Sequence, residues 1–308
     1  RYVHLISGQD YPIKPLSKFL EFFDKENKEF IGGVHLPNPR WDGNTYRRIQ
    51  YYFLTDWLRP SSDEQIRKIW RSADFQEKLG IRRGFPRQIK HLYGGSAWFS
   101  LTRACTEAVV QYTHKHRALL RRFRFTFVPD EMFIQTVVRN LDMPNIQIAN
   151  SIYRFIHWEK SGDYHPANLD EALFFEVSSS HAFFARKYEY PSCKRLMDLT
   201  DQYLIANEAL SCSETGAWTT RTFVGHTYDP GLSKGIALFC KVCKIGDVID
   251  LGCGPGWYVE ALRRMRIAAV GYDGNPNTED FSRLLSKKAV CKPADLTDDL
   301  IPEEPFGM

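Results

Sequence analysis

Val248-Ile-Asp-Leu-Gly-Cys-Gly-Pro-Gly256 is a short apolar run that feeds a loop with glycine at every second position. Its length and β-branched content predict a strand buried in a parallel sheet. Gly252, Gly254 and Gly256 lack Cβ atoms where a backbone must turn sharply and approach a ligand closely. Residues 257–266 follow with Val259, Leu262 and Met265 near one face, the spacing of an amphipathic helix. Ala268-Ala-Val-Gly-Tyr-Asp273 is a second strand ending on an acid, 23 residues after Asp250. A carboxylate in that place can take both hydroxyls of a ribose. Ala294-Asp295-Leu296 adds a third acid beside the expected adenine pocket. This order of elements predicts an α/β unit.

Upstream the texture changes. A Ser/Thr/Gly-rich stretch precedes an apolar helix over 235–244, which places a domain boundary near 208–213. The chain then reads as two domains, 1–207 and 208–308, in keeping with about 100–200 residues per domain. The first alternates strand and helix signals. Strands are expected over 1–7, 30–36, 96–101 and 151–158, and helices over 16–25, 103–116, 129–141 and 193–207. Ser62 with Gln65 three residues on is a capping-box start for a helix reaching Leu79.

Apolar residues make up 43% and charged residues 25% of the 308 positions, which excludes a disordered chain, a collagen-like fibre and a disulfide-stapled miniprotein. The net charge of +4 is too mild to argue for nucleic acid. No stretch approaches the ~18 uncharged apolar residues of a membrane span. Seven cysteines, an odd number without a dense pattern, favour reduced thiols. Cys240-Lys-Val-Cys243 has zinc-like spacing but no second pair, so two thiols on a helix face are expected and no metal. The chain opens as a strand already under way, without Met, and closes on Glu304-Pro-Phe-Gly-Met308, so it reads as a segment of a longer protein. His114-Lys-His-Arg-Ala-Leu-Leu-Arg-Arg-Phe-Arg124 is a basic run that reads as a solvated face, or as a contact with an anionic membrane surface or acceptor, ahead of an RNA contact.

The aspartate before the loop, the alternate glycines and the acids ending the next two strands resemble class I S-adenosylmethionine-dependent methyltransferases over 247–295. A dinucleotide dehydrogenase would more often show G-x-G-x-x-G. The resemblance implies a partial Rossmann-like methyltransferase domain that binds S-adenosylmethionine through Asp250, Gly252, Gly254, Gly256, Asp273 and Asp295. In that family acceptor recognition follows the fourth strand. Phe306-Gly-Met308 looks like its beginning, so the methyl acceptor is not read.

Six ordered pieces mark the first 205 residues. They are Ser7-Gly-Gln-Asp-Tyr-Pro-Ile-Lys-Pro15, Gly95-Ser-Ala-Trp-Phe-Ser-Leu-Thr-Arg103, Phe127-Val-Pro-Asp-Glu-Met-Phe133, Arg154-Phe-Ile-His-Trp158, His165-Pro166 and Phe184-Ala-Arg-Lys187. Together they resemble the core-2/I-branching β-1,6-N-acetylglucosaminyltransferase family, which also holds the peptide O-xylosyltransferases. The resemblance implies a partial GT-A-like domain. It also implies inverting, metal-independent transfer of GlcNAc or xylose from a UDP-sugar to a glycan or protein hydroxyl.

Within that resemblance Glu131 is the general base, Lys187 binds the donor diphosphate and Trp158 contacts the acceptor. Bland readings stand beside these. Asp130 and Glu131 suit the first turn of any helix. Lys187 suits a solvated lysine after a buried aromatic pair, and Trp158 a core position. Residues 1–205 hold no convincing Asp-x-Asp pair for a metal, and basic side chains can neutralise a leaving diphosphate instead. The His165-Pro166 segment is shorter than in the animal branching enzymes and leaves a second phosphate contact unassigned. The family's uridine-gripping strands precede Ser7-Gly-Gln-Asp10, so weak donor binding is expected of these residues.

The expected partners are a sugar nucleotide and a glycan or glycoprotein acceptor, without nucleic acid, and with any membrane association arising outside residues 1–308. S-adenosylmethionine and reduced thiols suit a cytoplasmic, microbial setting. The alternative is the Golgi membrane, as for eukaryotic family members. Two other functions remain open: an inactive sugar-binding scaffold carrying only methyl transfer, and a nucleic-acid methyltransferase with a basic N-terminal module.

Overall fold

A computed structural model describes residues 1–39, 41, 46–58, 62–85, 89–159, 165–206 and 210–296. The start of the boundary near 208–213 and the strand expected at 306–308 lie outside the described residues. The chain forms two compact units, one of residues 1–6 and 22–152, the other of residues 7–21 and 153–308. This division falls inside the stretch 1–207.

Strands are numbered in chain order as β1 (Tyr2–His4), β2 (Tyr11–Pro12), β3 (Glu29–Ile31), β4 (Val34–His35), β5 (Tyr93–Gly94) and β6 (Phe99–Thr102). They continue as β7 (Ile148–Ala149), β8 (Arg154–Ile156), β9 (Phe184–Arg186), β10 (Asp247–Leu251), β11 (Ala268–Asp273) and β12 (Cys291–Pro293).

In the first unit a mixed sheet has the order β1-β6-β3-β7, with β6 antiparallel to both neighbours and β7 parallel to β3. Helices Arg103–Lys115 and Phe133–Asn140 contribute to a core of Ile31, Leu101, Cys105, Val109, Val137 and Val138. Ser62 Oγ accepts from Gln65 N at 3.4 Å and starts helix Asp63–Lys78. Two expected elements are broken. The strand 30–36 is interrupted between β3 and β4 at Gly32-Gly33. There a Cβ on Gly95 would lie 2.5 Å from Gly32 O and 2.6 Å from Gly33 Cα, so two backbones meet without side chains between them. The helix 129–141 is a short 3₁₀ turn, Pro129–Glu131, followed by Phe133–Asn140. Gly95 N–H takes the Glu131 carbonyl at 2.9 Å, and Val128 sits in the left-handed region at φ 48°.

The basic run 114–124 is not uniformly solvated. Arg122 is buried and donates to Arg83 O at 3.0 Å, while Arg83 donates to the carbonyls of Tyr51 and Phe125 at 3.0 Å and of Arg122. Burial and the neighbouring Arg83 push the Arg122 guanidinium down to about 10. Replacing Arg83 by Ala removes a donor from three carbonyls, of which Phe125 O keeps Phe53 N and Arg122 O keeps Thr126 Oγ1. Its expected cost is about 2–4 kcal/mol, read as a lowered melting temperature.

In the second unit β9 lies between β2 and β8, antiparallel to β2 and parallel to β8. A separate parallel sheet runs β10-β11-β12. One core serves both: Ile13, Phe174, Tyr188 and Leu196 pack in the same cluster as Phe223, Trp257 and Phe281. Trp257 Nε1 also donates to Ser178 Oγ at 3.1 Å. The helix expected over 235–244 starts earlier, as Pro230–Cys243. Asp229 Oδ1 accepts from Gly231 N at 2.7 Å and Pro230 takes the first turn, a strong start signal hidden by two glycines. The helix over 193–207 is Lys194–Thr200 followed by a wider π turn, Asp201–Ile205.

The expectation of a strand buried on both faces is corrected: Ile249 is 38% and Leu251 59% exposed, alternate positions on one face of β10 that the described residues leave uncovered. All seven cysteines are free, with Cys240 buried and Cys243 exposed on the same helix. Among the described residues no cluster of His, Cys, Asp and Glu could hold a metal ion, and no helix is long and apolar enough to cross a membrane.

Candidate functional site

Three constellations carry the residues singled out from sequence. In the first unit, Glu131 ends the 3₁₀ turn, and its carboxylate accepts from Arg48 Nη1 at 2.6 Å. The Glu131 side chain is 38% exposed against 18% for Arg48. Arg48 in turn lies over the Trp41 ring at 4.7 Å, and Trp41 packs on Gly94, where a Cβ would come within 2.6 Å of the indole. Gln135, fully buried, donates to Ser96 O and Asp130 O and fixes the turn from beneath. Asp130 is exposed on that turn. Sequence reasoning assigned Arg48 no role. The stretch Tyr46-Arg-Arg-Ile-Gln-Tyr-Tyr52 only loosely resembles the family's acceptor-side loop, and within it Arg47 faces Asp74 and Glu77 instead.

The second constellation gathers three quoted motifs on the β2-β9-β8 sheet. Ile156 is in register with Arg186, so Trp158 and Lys187 both follow the carboxyl ends of adjacent parallel strands. Such edges are where open α/β sheets present ligand-binding residues. Trp158 is 48% exposed, unlike a core tryptophan. Lys187 is half-buried; its carbonyl accepts from Leu169 N at 2.8 Å, and Ala167 N donates to His157 O at 3.0 Å. The His165-Pro166 segment therefore leads into a chain lying along this edge. Arg186 joins another group. Its Nε lies 4.0 Å from Asp10 Oδ1, and the Asp10 carboxylate is buried and accepts from Ser7 N. Burial lowers the pKa of Arg154 and of Arg186, and Asp10 opposes both shifts. Asp10 thus closes its own turn and neutralises buried arginines. Glu131 belongs to the first unit, Lys187 and Trp158 to the second.

The third constellation is the glycine loop. Gly252, Gly254 and Gly256 have φ of 77°, 53° and 84°, left-handed values that disfavour any side chain. A Cβ on Gly256 would strike Cys291 Sγ at 2.7 Å and one on Gly254 would strike His226 Nδ1 at 2.8 Å, whereas Gly252 has open space. Asp273 Oδ2 accepts from Gly254 N at 2.7 Å and Oδ1 from Asn275 N at 2.8 Å. Asp250 Oδ2 is buried with no hydrogen-bond partner among the described residues. Burial and the nearby Asp273 raise the Asp250 pKa. Asp295 is exposed just past β12, where Ala294 N donates to Asp273 O at 2.9 Å. Acceptor carboxylates, one orphaned, beside an open glycine backbone fit an adenosyl amino acid, whose ribose hydroxyls and ammonium are donors.

Residues 1–178 match the family described as Core-2/I-Branching enzyme. The chain is 26% identical over 211 residues to Xylosyltransferase oxt of Drosophila pseudoobscura pseudoobscura, covering 61% of this chain and 21% of that protein. It is 26% identical over 219 residues to Xylosyltransferase 2 of Rattus norvegicus, covering 65% and 23%. It is 25% identical over 248 residues to Xylosyltransferase 2 of Homo sapiens, covering 74% and 26%. The match therefore spans about a quarter or less of these curated relatives. With more than half of its length inside the family match, the chain belongs to the core-2/I-branching enzymes, a glycosyltransferase family.

Proposed function

We propose that the chain transfers a sugar from a UDP-sugar to a hydroxyl of a glycan or protein, by inversion and without a metal. The carrying observation is Glu131: a carboxylate on a backbone-pinned turn, gripped by Arg48 and with a partly exposed side chain, in a chain of this family. Glu131 takes the acceptor hydroxyl proton as that oxygen attacks the sugar C1. The bond from C1 to the diphosphate oxygen breaks, and the Lys187 ammonium stabilises the charge that leaves. Trp158 offers its exposed face to an acceptor sugar ring. The relatives' names favour xylose over GlcNAc as the transferred group, and kinship with animal xylosyltransferases favours the Golgi alternative over a cytoplasmic setting.

The second part of the proposal is methyl transfer by the glycine-loop unit. S-adenosylmethionine, when bound, supplies an electrophilic methyl group. Asp273 and Asp295 would hold the nucleoside, Asp250 the amino-acid end, and the open Gly252 would let the backbone approach, while Gly254 and Gly256 make room for His226 and Cys291. The family match ends at residue 178, so this part rests on the loop's own geometry.

Release of UDP from UDP-xylose and UDP-GlcNAc, measured with the full chain and a glycan or serine-bearing peptide acceptor, tests the first part. Lys187→Ala is expected to lower kcat/KM by about 10²-fold or more, the usual scale for losing one charge-stabilising group. Unchanged turnover in that variant would remove Lys187 from the reaction. No UDP release from the native chain would favour the scaffold reading.

A further inference from the structure

We infer that His226 is a ligand-contacting residue of the glycine-loop site, hydrogen-bonding the adenosyl amino acid proposed there, and that segment 212–226 is the wall that carries it. This inference rests on the methyl-donor reading of the loop and adds a residue that no motif contains.

The segment is fastened to the loop from several directions. Cys212 and Trp218 pair as an isolated antiparallel bridge. Asn275 Nδ2 donates to Thr220 O at 3.0 Å, and Asn277 Nδ2 reaches Thr219 O and Thr220 O at 3.4 Å. A Cβ on Gly274 would fall 2.3 Å from the Ala217 methyl, so that glycine admits the segment. Phe223 anchors the far end in the core, with its ring 5.6 Å from Trp257 and 5.0 Å from Phe281. Segment 212–226 therefore lies on the strand ends that carry Asp250 and Asp273.

His226 is held where this wall meets the loop. Its Nδ1 and Cε1 occupy the space a Gly254 Cβ would need, and Gly254 N in turn holds Asp273. The other ring nitrogen, Nε2, is buried and has no hydrogen-bond partner among the described residues. Burial lowers the His226 pKa while Asp273 opposes the shift, so the ring is neutral near pH 7 and carries one donor and one acceptor. Asp250 Oδ2 is orphaned at the same loop. Buried polar atoms are seldom left unmet, and two around one open glycine turn are together explained by a bound molecule that supplies partners to both.

The test uses the full chain and calorimetric titration with S-adenosylmethionine and S-adenosylhomocysteine. Ligand-free melting curves accompany the native protein, His226→Ala, His226→Gln and Asp273→Asn. His226→Ala is expected to weaken binding about tenfold. His226→Gln, whose amide also carries a donor and an acceptor, is expected to stay within about threefold, with both His226 variants melting alike. Asp273→Asn is expected to weaken binding independently. If the native chain binds and Asp273→Asn weakens it while His226→Ala does not, the inference is overturned and the loop reading survives. Equal losses in both His226 variants with equally lowered melting temperatures would make His226 a packing residue and overturn it too. No binding by the native chain would overturn both.

Discussion

Glu131→Gln is expected to reduce sugar transfer by about 10²–10⁴-fold, the range for removing a positioned general base. The amide is nearly the size of the carboxylate and its oxygen can still accept from Arg48, so the turn at Pro129–Glu131 stays in place. The melting temperature should therefore match that of the native chain. UDP release under saturating donor and acceptor reads the effect. Retained turnover would move the base elsewhere, since an amide cannot accept the proton of an attacking hydroxyl. A large fall in activity with a lowered melting temperature would instead show that Glu131 acts through Arg48 on the turn.

Gly95→Ala is expected to be severe for a different reason. The added methyl would meet Gly32 O, Gly33 Cα and Gly32 C at 2.5, 2.6 and 2.9 Å, and all three are backbone atoms that cannot swing aside. Relief requires moving the β3–β4 junction or the chain at Gly95, which holds the Glu131 carbonyl. The expected cost is about 1–3 kcal/mol, as for other overpacked sites, together with loss of sugar transfer. Gly84→Ala is the matched control, because nothing lies within 4 Å of its Cβ position. Thermal melting of the two variants side by side reads the difference. Equal stability would mean that the close approach of Gly95 to Gly32-Gly33 is not kept in solution.

Local signals carried well from sequence to structure wherever neighbours along the chain decide the outcome. The apolar spacing of Leu16–Lys25, the Ser62 cap and the strand Ala268–Asp273 all depend on residues within one or two turns. The reading failed where a distant backbone intervenes. Gly32-Gly33 breaks a strand because Gly95 arrives there, and the helix after Pro129 loses its first turn because Gly95 takes the Glu131 carbonyl.

The candidate sites divide in the same way. Glu131, Lys187 and the glycines of the 252–256 loop were visible as motifs, each a local pattern that one strand end or turn requires. Arg48 and His226 were not, because their importance comes from what folding sets against them. Arg48 and Arg47 look alike on the page, yet one meets Glu131 and the other a pair of acids on a helix.

Phe174, Tyr188 and Leu196 share a cluster with Phe223, Trp257 and Phe281, which come from the far side of position 207. Evolution could therefore not exchange the glycine-loop piece for another fold without re-tailoring the aromatic seats that receive it. An engineer who severs the chain at that position would bare greasy surface on both products. Residues 169–204 and the glycine-loop piece thus inherit a single folding fate.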